Sequence, residues 1–236
     1  MEQSVFLPAK SRGNTDIGWL NGHHSFNFGN FYNANRNAFG PLVILNDDVV
    51  APGKGFGTHF HANMEIISIP ISGSITHADS TGKKALIHTG DVQMMSAGKG
   101  ISHSEYNEDH SHALNFLQIW IQPKIKDIEP RYQQISTQKF MPNTLTEIVS
   151  PLAGTTALHI NQDAWLSIGN FSPGKSLKYT SKNKNNGLYI FLISGEVLYE
   201  KQMLEAKDAL KLWGKEEFLL NFTEQSQILF IEVPLN

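Results

Sequence analysis

Short apolar segments separated by turn residues recur along the whole chain and restrict it to an all-β fold. Segments such as MEIISIPISG, ALNFLQIWIQP and GLYIFLISGEVLY are rich in Ile, Val, Phe and Tyr, and Gly, Pro, Asn or Ser bound them. Segments of this length and spacing are typical of β-sandwiches and β-barrels. Convincing helical periodicity is scarce, so the pattern predicts strands throughout.

The two halves of the chain repeat one pattern. The tripeptide Ile-Ser-Gly ends an apolar segment at residues 71–73 and another at residues 193–195. Each copy is followed by a strand-like stretch and then by an apolar run that reaches an aspartate, Asp91 in the first half and Asp208 in the second. The repeat predicts two related β-domains. The proline-containing region 123–151 is expected to connect them.

Composition excludes several classes of protein. The 236 residues include no cysteine, and 19 Lys+Arg against 22 Asp+Glu give a formal net charge of −3. A disulfide scaffold, a thiolate metal site and a cysteine nucleophile are therefore excluded, and the charge predicts no direct contact with nucleic acid. Because neither a signal peptide nor an apolar run of the ~20 residues that span a bilayer is visible, we expect a soluble, cytoplasmic protein without membrane contact.

Histidines and glutamates at alternating positions form the densest polar cluster. After a glycine-rich approach come His59, His61 and Glu65, and after a second glycine turn come His103 and Glu105. Alternate residues of a strand share one face, so both groups can point inward. Imidazole and carboxylate groups at this spacing can bind one metal ion. Parity alone does not choose between Glu65 and Glu105 as the carboxylate ligand.

Other motifs receive structural interpretations. The pair His110 and His112 lies in a polar, acidic run and is predicted to be an exposed loop. The His23-His24 pair, near Phe26 and Phe28, is assigned to a packed surface, with the mouth of the pocket as the alternative. Residues 169–176 match the spacing of a phosphate-binding P-loop, but the residues that follow are poor helix formers. We therefore predict a hairpin turn at residues 172–175 and no nucleotide site.

Two spaced motifs carry a family resemblance. They resemble the two cupin motifs, although the first usually has six residues before its last glycine and the second usually has proline where Ser96 stands: Gly53-x5-His59-x-His61-x3-Glu65-x7-Gly73 and Gly90-x5-Ser96-Ala-Gly98-x4-His103-x3-Asn107. Further runs make residues 10–122 similar to the pirin family, particularly its short bacterial members: Arg12-Gly13, Gly18-Trp19-Leu20, Leu45-Asn46-Asp47, His77-Ala-Asp-Ser80, Ile101-Ser-His103-Ser-Glu105 and Leu117-Gln118-Ile-Trp120.

The resemblance implies a bicupin, an all-β protein of two antiparallel β-barrel domains. Residues 1–135 are expected to form the N-terminal metal-binding domain and residues 136–236 a metal-free cupin-like domain. One divalent metal ion per chain is implied, with iron(II) as the first choice and zinc, nickel, manganese, cobalt and copper as alternatives. The ligands that the family pattern implies are His59, His61, His103 and Glu105, which leaves Glu65 near the metal as a supporting residue or base.

The implied activity is that of a dioxygenase. By resemblance to pirin-type quercetinases, the protein would cleave flavonol-like aromatic enols with O2, and Glu105 or Glu65 would take the substrate's hydroxyl proton. A non-enzymatic alternative is a regulatory protein whose metal responds to redox state and alters a surface that a protein partner recognises. Turnover of an aromatic enol under O2 separates the two hypotheses.

Overall fold

The computed structural model describes residues 3–235 and confirms the all-β prediction. No α-helix occurs in that range; two short 3-10 turns cover Ala9–Ser11 and Ala34–Arg36. Accordingly, none of the helical segments described is long and apolar enough to cross a membrane. The strands, in chain order, are β1 (Gln3–Leu7), β2 (Gly13–Asp16), β3 (Leu20–His24), β4 (Leu42–Val50), β5 (Gly55–His61), β6 (Glu65–Ser72), β7 (Ser74–Asp79), β8 (Lys84–His88), β9 (Asp91–Ser96), β10 (Ile101–Tyr106), β11 (Leu114–Ile121), β12 (Arg131–Ser136), β13 (Thr146–Ser150), β14 (Leu158–His159), β15 (Trp165–Phe171), β16 (Ser176–Thr180), β17 (Asn186–Ser194), β18 (Glu196–Tyr199), β19 (Gln202–Glu205), β20 (Ala209–Trp213), β21 (Glu217–Phe222) and β22 (Ser226–Pro234).

These strands form two compact units. The N-terminal unit contains residues 12–138 and 160–162, and the C-terminal unit contains residues 3–11, 139–159 and the chain from 163 onward. A single boundary between residues 135 and 136 does not describe this division, because β1 pairs with β20 of the C-terminal unit. The region 123–151 is likewise more than a connection, since it contributes β12 to one unit and β13 to the other.

In the N-terminal unit, a seven-stranded and a four-stranded sheet enclose the core. Their strand orders are β12-β9-β6-β11-β4-β3-β2 and β5-β10-β7-β8, and all neighbouring strands are antiparallel. Apolar side chains from both sheets meet in one cluster, which joins Val50 and Phe116 of the larger sheet to Ile75 and Ile87 of the smaller. Burial of this apolar surface holds the two sheets together.

The C-terminal unit repeats the same arrangement. Its seven-stranded sheet has the order β1-β20-β17-β22-β15-β13-β14 and its four-stranded sheet the order β16-β21-β18-β19. Only the short β13–β14 pair is parallel among the described strands. One large buried cluster fills the space between the sheets and includes Phe218, Leu220 and Phe222 from β21 and Ile228 and Phe230 from β22.

Matching details confirm the internal repeat. Gly73 and Gly195 follow β6 and β17 with φ of 81° and 88°, a conformation that favours glycine. At each of these glycines the chain leaves a seven-stranded sheet and enters a four-stranded one. Asp91 Oδ2 accepts a hydrogen bond from the backbone N–H of residue 88, and Asp208 Oδ2 accepts the equivalent bond from residue 205.

Two sequence expectations need refinement. The backbone ladders give two separate sheets in each unit, so each unit is described as a two-sheet sandwich and not as one closed barrel. The P-loop match lies on β15 and β16, joined by a turn in which Gly174 has φ of 76° and followed by no helix in the described chain. The turn was expected, but the hairpin was wrong, because β15 and β16 belong to different sheets.

Candidate metal centre

Three neighbouring strands of the N-terminal four-stranded sheet present titratable side chains on one face. The strands β5, β10 and β7 are adjacent, and β10 lies in the middle. In the ladder, His103 faces His59 on one side and Asp79 on the other, while Glu105 faces His77. Cross-strand partners and alternate residues share a face. The resulting grid contains His59, His61, His77, Asp79, His103 and Glu105.

A β-bulge adjusts this grid. The pairing of β10 with β5 shifts between His103, which faces His59, and Glu105, which faces Phe56. The two partner residues are therefore three positions apart on β5 but two positions apart on β10. Bulges of this kind change the direction of side chains near functional sites. Here the bulge allows both His59 and Phe56 to line the same cavity.

The ligand atoms form two overlapping groups within the described chain. One nitrogen each from His59, His61 and His103 lies within 4.8 Å of the others, and the same holds for ligand atoms of His77, His103 and Glu105. His103 is therefore common to both. Three of the four expected ligands come together directly, while Glu105 groups with His103 and with His77, to which the sequence assigned no role.

Hydrogen bonding supports a metal-binding interpretation of the first group. His103 is only 2% exposed, and neither of its ring nitrogens has a hydrogen-bond partner among residues 3–235. Leaving buried polar atoms without partners is costly, and a bound cation would satisfy one of them. His59 Nδ1 donates to the carbonyl of Gly57 at 2.8 Å, which leaves Nε2 free to coordinate. The residues present therefore fit a metal ion.

Burial is the main reason that the imidazoles of His61 and His103 are neutral, the form that binds metals. Burial, together with the neighbouring His59, His61 and His77, lowers the pKa of His103 to about 3. Burial, followed by the proximity of His59, lowers the pKa of His61 to about 4. Both side chains are therefore uncharged at neutral pH.

Glu105 and His77 are held by buried partners. Ser68 Oγ donates to Glu105 Oε1 at 3.0 Å, and Gln118 Nε2 donates to Oε2 at 2.7 Å. Burial raises the pKa of Glu105, and these donors and the nearby histidines oppose the rise. His77 Nε2 donates to Asp79 Oδ2 at 2.9 Å. A carboxylate behind a histidine is a common support for metal ligands, because it fixes the ring and its tautomer.

Glu65 lies elsewhere. The chain turns at Asn63, whose φ is 51°, so Glu65 begins a new strand and does not continue β5. Across β11, Ile66 faces Trp120 and Glu65 faces Ile121. Because successive side chains alternate between faces, Glu65 lies on the sheet face opposite Trp120. There its Oε2 accepts hydrogen bonds from Ser96 Oγ at 2.9 Å and from the backbone N–H of Asn161 at 3.2 Å.

Of the two ligand groups found in the described chain, neither includes Glu65. The expectation that Glu65 shares a face with the two β5 histidines depended on a continuous strand, which the turn at residues 62–64 interrupts. Burial raises the pKa of this carboxyl group, opposed by its hydrogen bonds. A catalytic role for Glu65 stays a prediction.

A cavity of about 220 Å³ adjoins the histidine groups. Leu20, Phe28, Phe56 and Trp120 supply its apolar walls, and its polar lining consists of Thr15, His24, Asn46, Asp48, His59, Glu105 and Gln118. Aromatic walls with a few polar groups are typical of small-molecule sites. The ring of His61 contacts Trp120 edge-on at 4.9 Å, so the cavity wall and the histidine group are in direct contact.

The sequence predicted the environments of some histidines and not of others. His110 and His112 are exposed, as expected for a loop. His24 lines the cavity, which was the alternative to the favoured packed surface, and it bonds Asn46 and Thr15 there. The roles of His77 and Asp48 were missed. The alternation of His77 with Asp79 was a signal for the first, whereas nothing in the local sequence distinguishes Asp48 from Asp47.

Comparison with known proteins agrees with this arrangement. A two-unit β-protein with histidines and a carboxylate grouped between the sheets of one unit is of the cupin class. The family model "Pirin" matches residues 6–121, and the model "Quercetinase C-terminal cupin domain" matches residues 147–233. The chain belongs to the pirin family.

Individual relatives match over nearly the full length. The chain is 34% identical to a protein named quercetin 2,3-dioxygenase from Escherichia coli (strain K12), with 96% of each chain covered, and 32% identical to a pirin-like protein from Caulobacter vibrioides, with 95% and 97% covered. The crystal structure of the bacterial pirin YhhW from Escherichia coli in complex with nickel(II) has a TM-score of 0.93 at 32% identity and covers 98% of this chain and 99% of its own.

Proposed function

We propose that the protein is a mononuclear metal-dependent dioxygenase that cleaves flavonol-like aromatic enols with O2. The observation that carries the proposal is the buried His103, which has no hydrogen-bond partner in the described chain and stands with His59 and His61 beside an aromatic-walled cavity. The relatives named quercetin 2,3-dioxygenase and the nickel-bound pirin structure support it.

The metal would be held by His59, His61 and His103, with Glu105 as the fourth ligand. A divalent ion bound there would supply Lewis-acid and redox chemistry toward the enol and O2. We retain iron(II) as the first candidate for this chain. Nickel, the ion in the related pirin structure, is the second. Asp79 fixes His77 behind His103, and Ser68 and Gln118 fix Glu105.

The chain's own residues bind, orient and shield the substrate. Phe28, Phe56 and Trp120 would pack against the aromatic rings, and the buried cavity would exclude water from the reacting atoms. Glu105 is the carboxylate that the geometry favours for taking the enol proton, because it lines the cavity and burial raises its pKa. In the net reaction, one flavonol and one O2 give a ring-opened ester and CO.

Elemental analysis of protein purified without added metal, followed by an aerobic quercetin assay, tests the proposal. We expect about one divalent metal ion per chain and CO release in step with quercetin loss. The assay should use a panel of compounds that contains quercetin and smaller catechols, because the cavity is small for a ligand pocket. Stoichiometric metal without turnover of any panel compound would contradict the enzymatic proposal and favour the regulatory alternative.

A further inference from the structure

Asp48 lies in the cavity beside the proposed metal centre and has an unusual environment for a carboxylate. We propose that Asp48 binds a hydroxyl group of the aromatic ligand, with its Oδ1 accepting the hydrogen bond, and so selects hydroxylated ligands over bare ring systems. The inference rests on the proposed function, since it assigns the ligand class of the same cavity. Asp48 would be a specificity-determining residue.

The first observation is an unmet hydrogen-bonding demand. Asp48 is 5% exposed and lines the cavity, and its Oδ1 is buried without a hydrogen-bond partner anywhere in residues 3–235. Buried carboxylate oxygens in folded proteins are normally paired, because removing them from water is costly. A donor supplied by a ligand would offset that cost, whereas an apolar ligand would add to it.

The neighbouring strand leaves room for this carboxylate. Gly22 on β3 faces Asp48 on β4, and a Cβ atom at Gly22 would lie 2.5 Å from Asp48 Oδ1. Any side chain larger than glycine would therefore displace the carboxylate. The backbone of Gly22 is not in the left-handed region, so conformation does not require glycine there. Space for the Asp48 side chain is the local reason for this glycine.

The polar groups around Asp48 supply no hydrogen bond to its Oδ1 in the described chain. His24 is engaged with Asn46 and Thr15, and Gln118 Nε2 directs a hydrogen bond to Glu105 and none to Asp48. Burial, followed by the charges of Asp47 and Glu105, raises the pKa of Asp48 to about 7. A neutral hydroxyl donor relieves this arrangement without bringing another charge into the cavity.

The experiment compares two probes that share one ring skeleton, quercetin with its hydroxyl groups and flavone with none. Binding to the metal-loaded protein is measured under nitrogen by tryptophan quenching, so that no turnover occurs. Measured near pH 8, where Asp48 is mostly ionised, Asp48→Leu should weaken quercetin binding about 10- to 100-fold, the loss typical of a hydrogen bond to a charged group. Flavone binding should change less than about 3-fold, because flavone has no hydroxyl to lose.

Two further variants keep the test sharp. Gly22→Ala retains the carboxyl group of Asp48 but displaces it, and should weaken quercetin binding in the same direction. Asp47→Asn removes a charge one residue away on the opposite face of β4, where Asp47 accepts a hydrogen bond from Asn115. This control should leave the ratio of quercetin to flavone affinity unchanged, even if it lowers the unfolding temperature.

Equal losses for both probes, no loss in Asp48→Leu and Gly22→Ala, or no binding of quercetin to the native protein would each overturn the inference. The proposed function fails separately. Binding of quercetin that depends on Asp48 but is followed by no CO release under O2 would overturn the dioxygenase proposal alone. CO release with unchanged probe discrimination in Asp48→Leu would overturn the role of Asp48 alone.

Discussion

The two units build the same pair of sheets and fill them in opposite ways. His103 on β10 faces His59 and Asp79, whereas Leu220 on β21, the strand of the C-terminal unit that corresponds to β10, faces Leu177 and Tyr199. Phe218 and Phe222 flank Leu220 in the apolar core of the C-terminal unit. The same backbone pairing therefore forms whether imidazole rings or apolar side chains lie between the sheets.

Carboxylates make the same contrast. Glu232 in the C-terminal unit is fully buried and accepts four hydrogen bonds, from the Tyr179 hydroxyl, the backbone N–H groups of residues 182 and 183, and the Asn186 side chain. Asp48 in the N-terminal unit has an oxygen with no partner in the described range. Glu232 thus meets its hydrogen-bonding demand within its own unit, whereas Asp48 and His103 retain buried atoms without a hydrogen-bond partner in the described range.

Removal of the proposed metal ligands should have the largest effect. His59→Ala and His103→Ala should each lower metal affinity at least ~10-fold, since even supporting residues around a metal contribute that much. The strands should remain, because apolar burial and not the metal holds the sheets. Metal content by elemental analysis and circular dichroism check both points. A double His110→Ala/His112→Ala variant is the control, and full occupancy in His103→Ala would refute the ligand assignment.

Loss of Glu232 should strongly destabilise the C-terminal unit. Glu232→Leu leaves four donors without their acceptor, two of them in fully buried bonds, so we expect the free energy of unfolding to fall by about 3–5 kcal/mol. Denaturant titration measures the change. Glu217→Gln is the matched control, because Glu217 forms an exposed ion pair with Lys178 that is worth less than about 1 kcal/mol. Equal effects of the two substitutions would show that the buried network contributes little.

Truncations on the corresponding strands β21 and β10 test the comparison directly. Leu220→Ala should cost about 2–5 kcal/mol of stability, because it opens a cavity in a packed core. In metal-free protein, His103→Ala should cost less than about 1 kcal/mol, since neither ring nitrogen has a hydrogen bond to lose in the described structure. Both are read from denaturant midpoints. Equal costs would mean that the histidine grid packs as tightly as the apolar core.

Glu65→Gln should have the smallest effect. The substitution keeps the shape of the side chain and one acceptor oxygen for Ser96 and the Asn161 N–H, so stability should fall by less than about 1.5 kcal/mol. Metal content should not change, because Glu65 lies on the other face of its sheet. A loss of metal comparable to that of His103→Ala would instead return Glu65 to the metal centre.

Sequence periodicity predicted most of the fold and the three-histidine group of the site. The strand pattern and the repeated Ile-Ser-Gly anticipated two related β-units, and strand alternation brought His59, His61 and His103 together. These features succeed because they are local: alternation needs only one strand, and a glycine turn needs only a few residues.

Features that depend on distant partners were not predictable in this way. The turn at Asn63 reversed the expected facing of Glu65, and its signal is a single residue with positive φ. Asp48 became distinctive only once Gly22 was placed across from it. β1 pairs with β20, about 200 positions later in the chain, and the sequence of neither strand indicates its partner.

That pairing has a consequence for synthesis of the chain. During translation, β1 is made before the other described strands, but its partner β20 follows only about 200 residues later. At ~5–20 residues per second, β1 waits roughly 10–40 s with its backbone unpaired. All strands of the N-terminal unit, β2 to β12, are made in that interval. A polypeptide released before β20 therefore carries β1 without its partner strand, and an unpaired strand exposes backbone hydrogen-bonding groups that can pair with another chain.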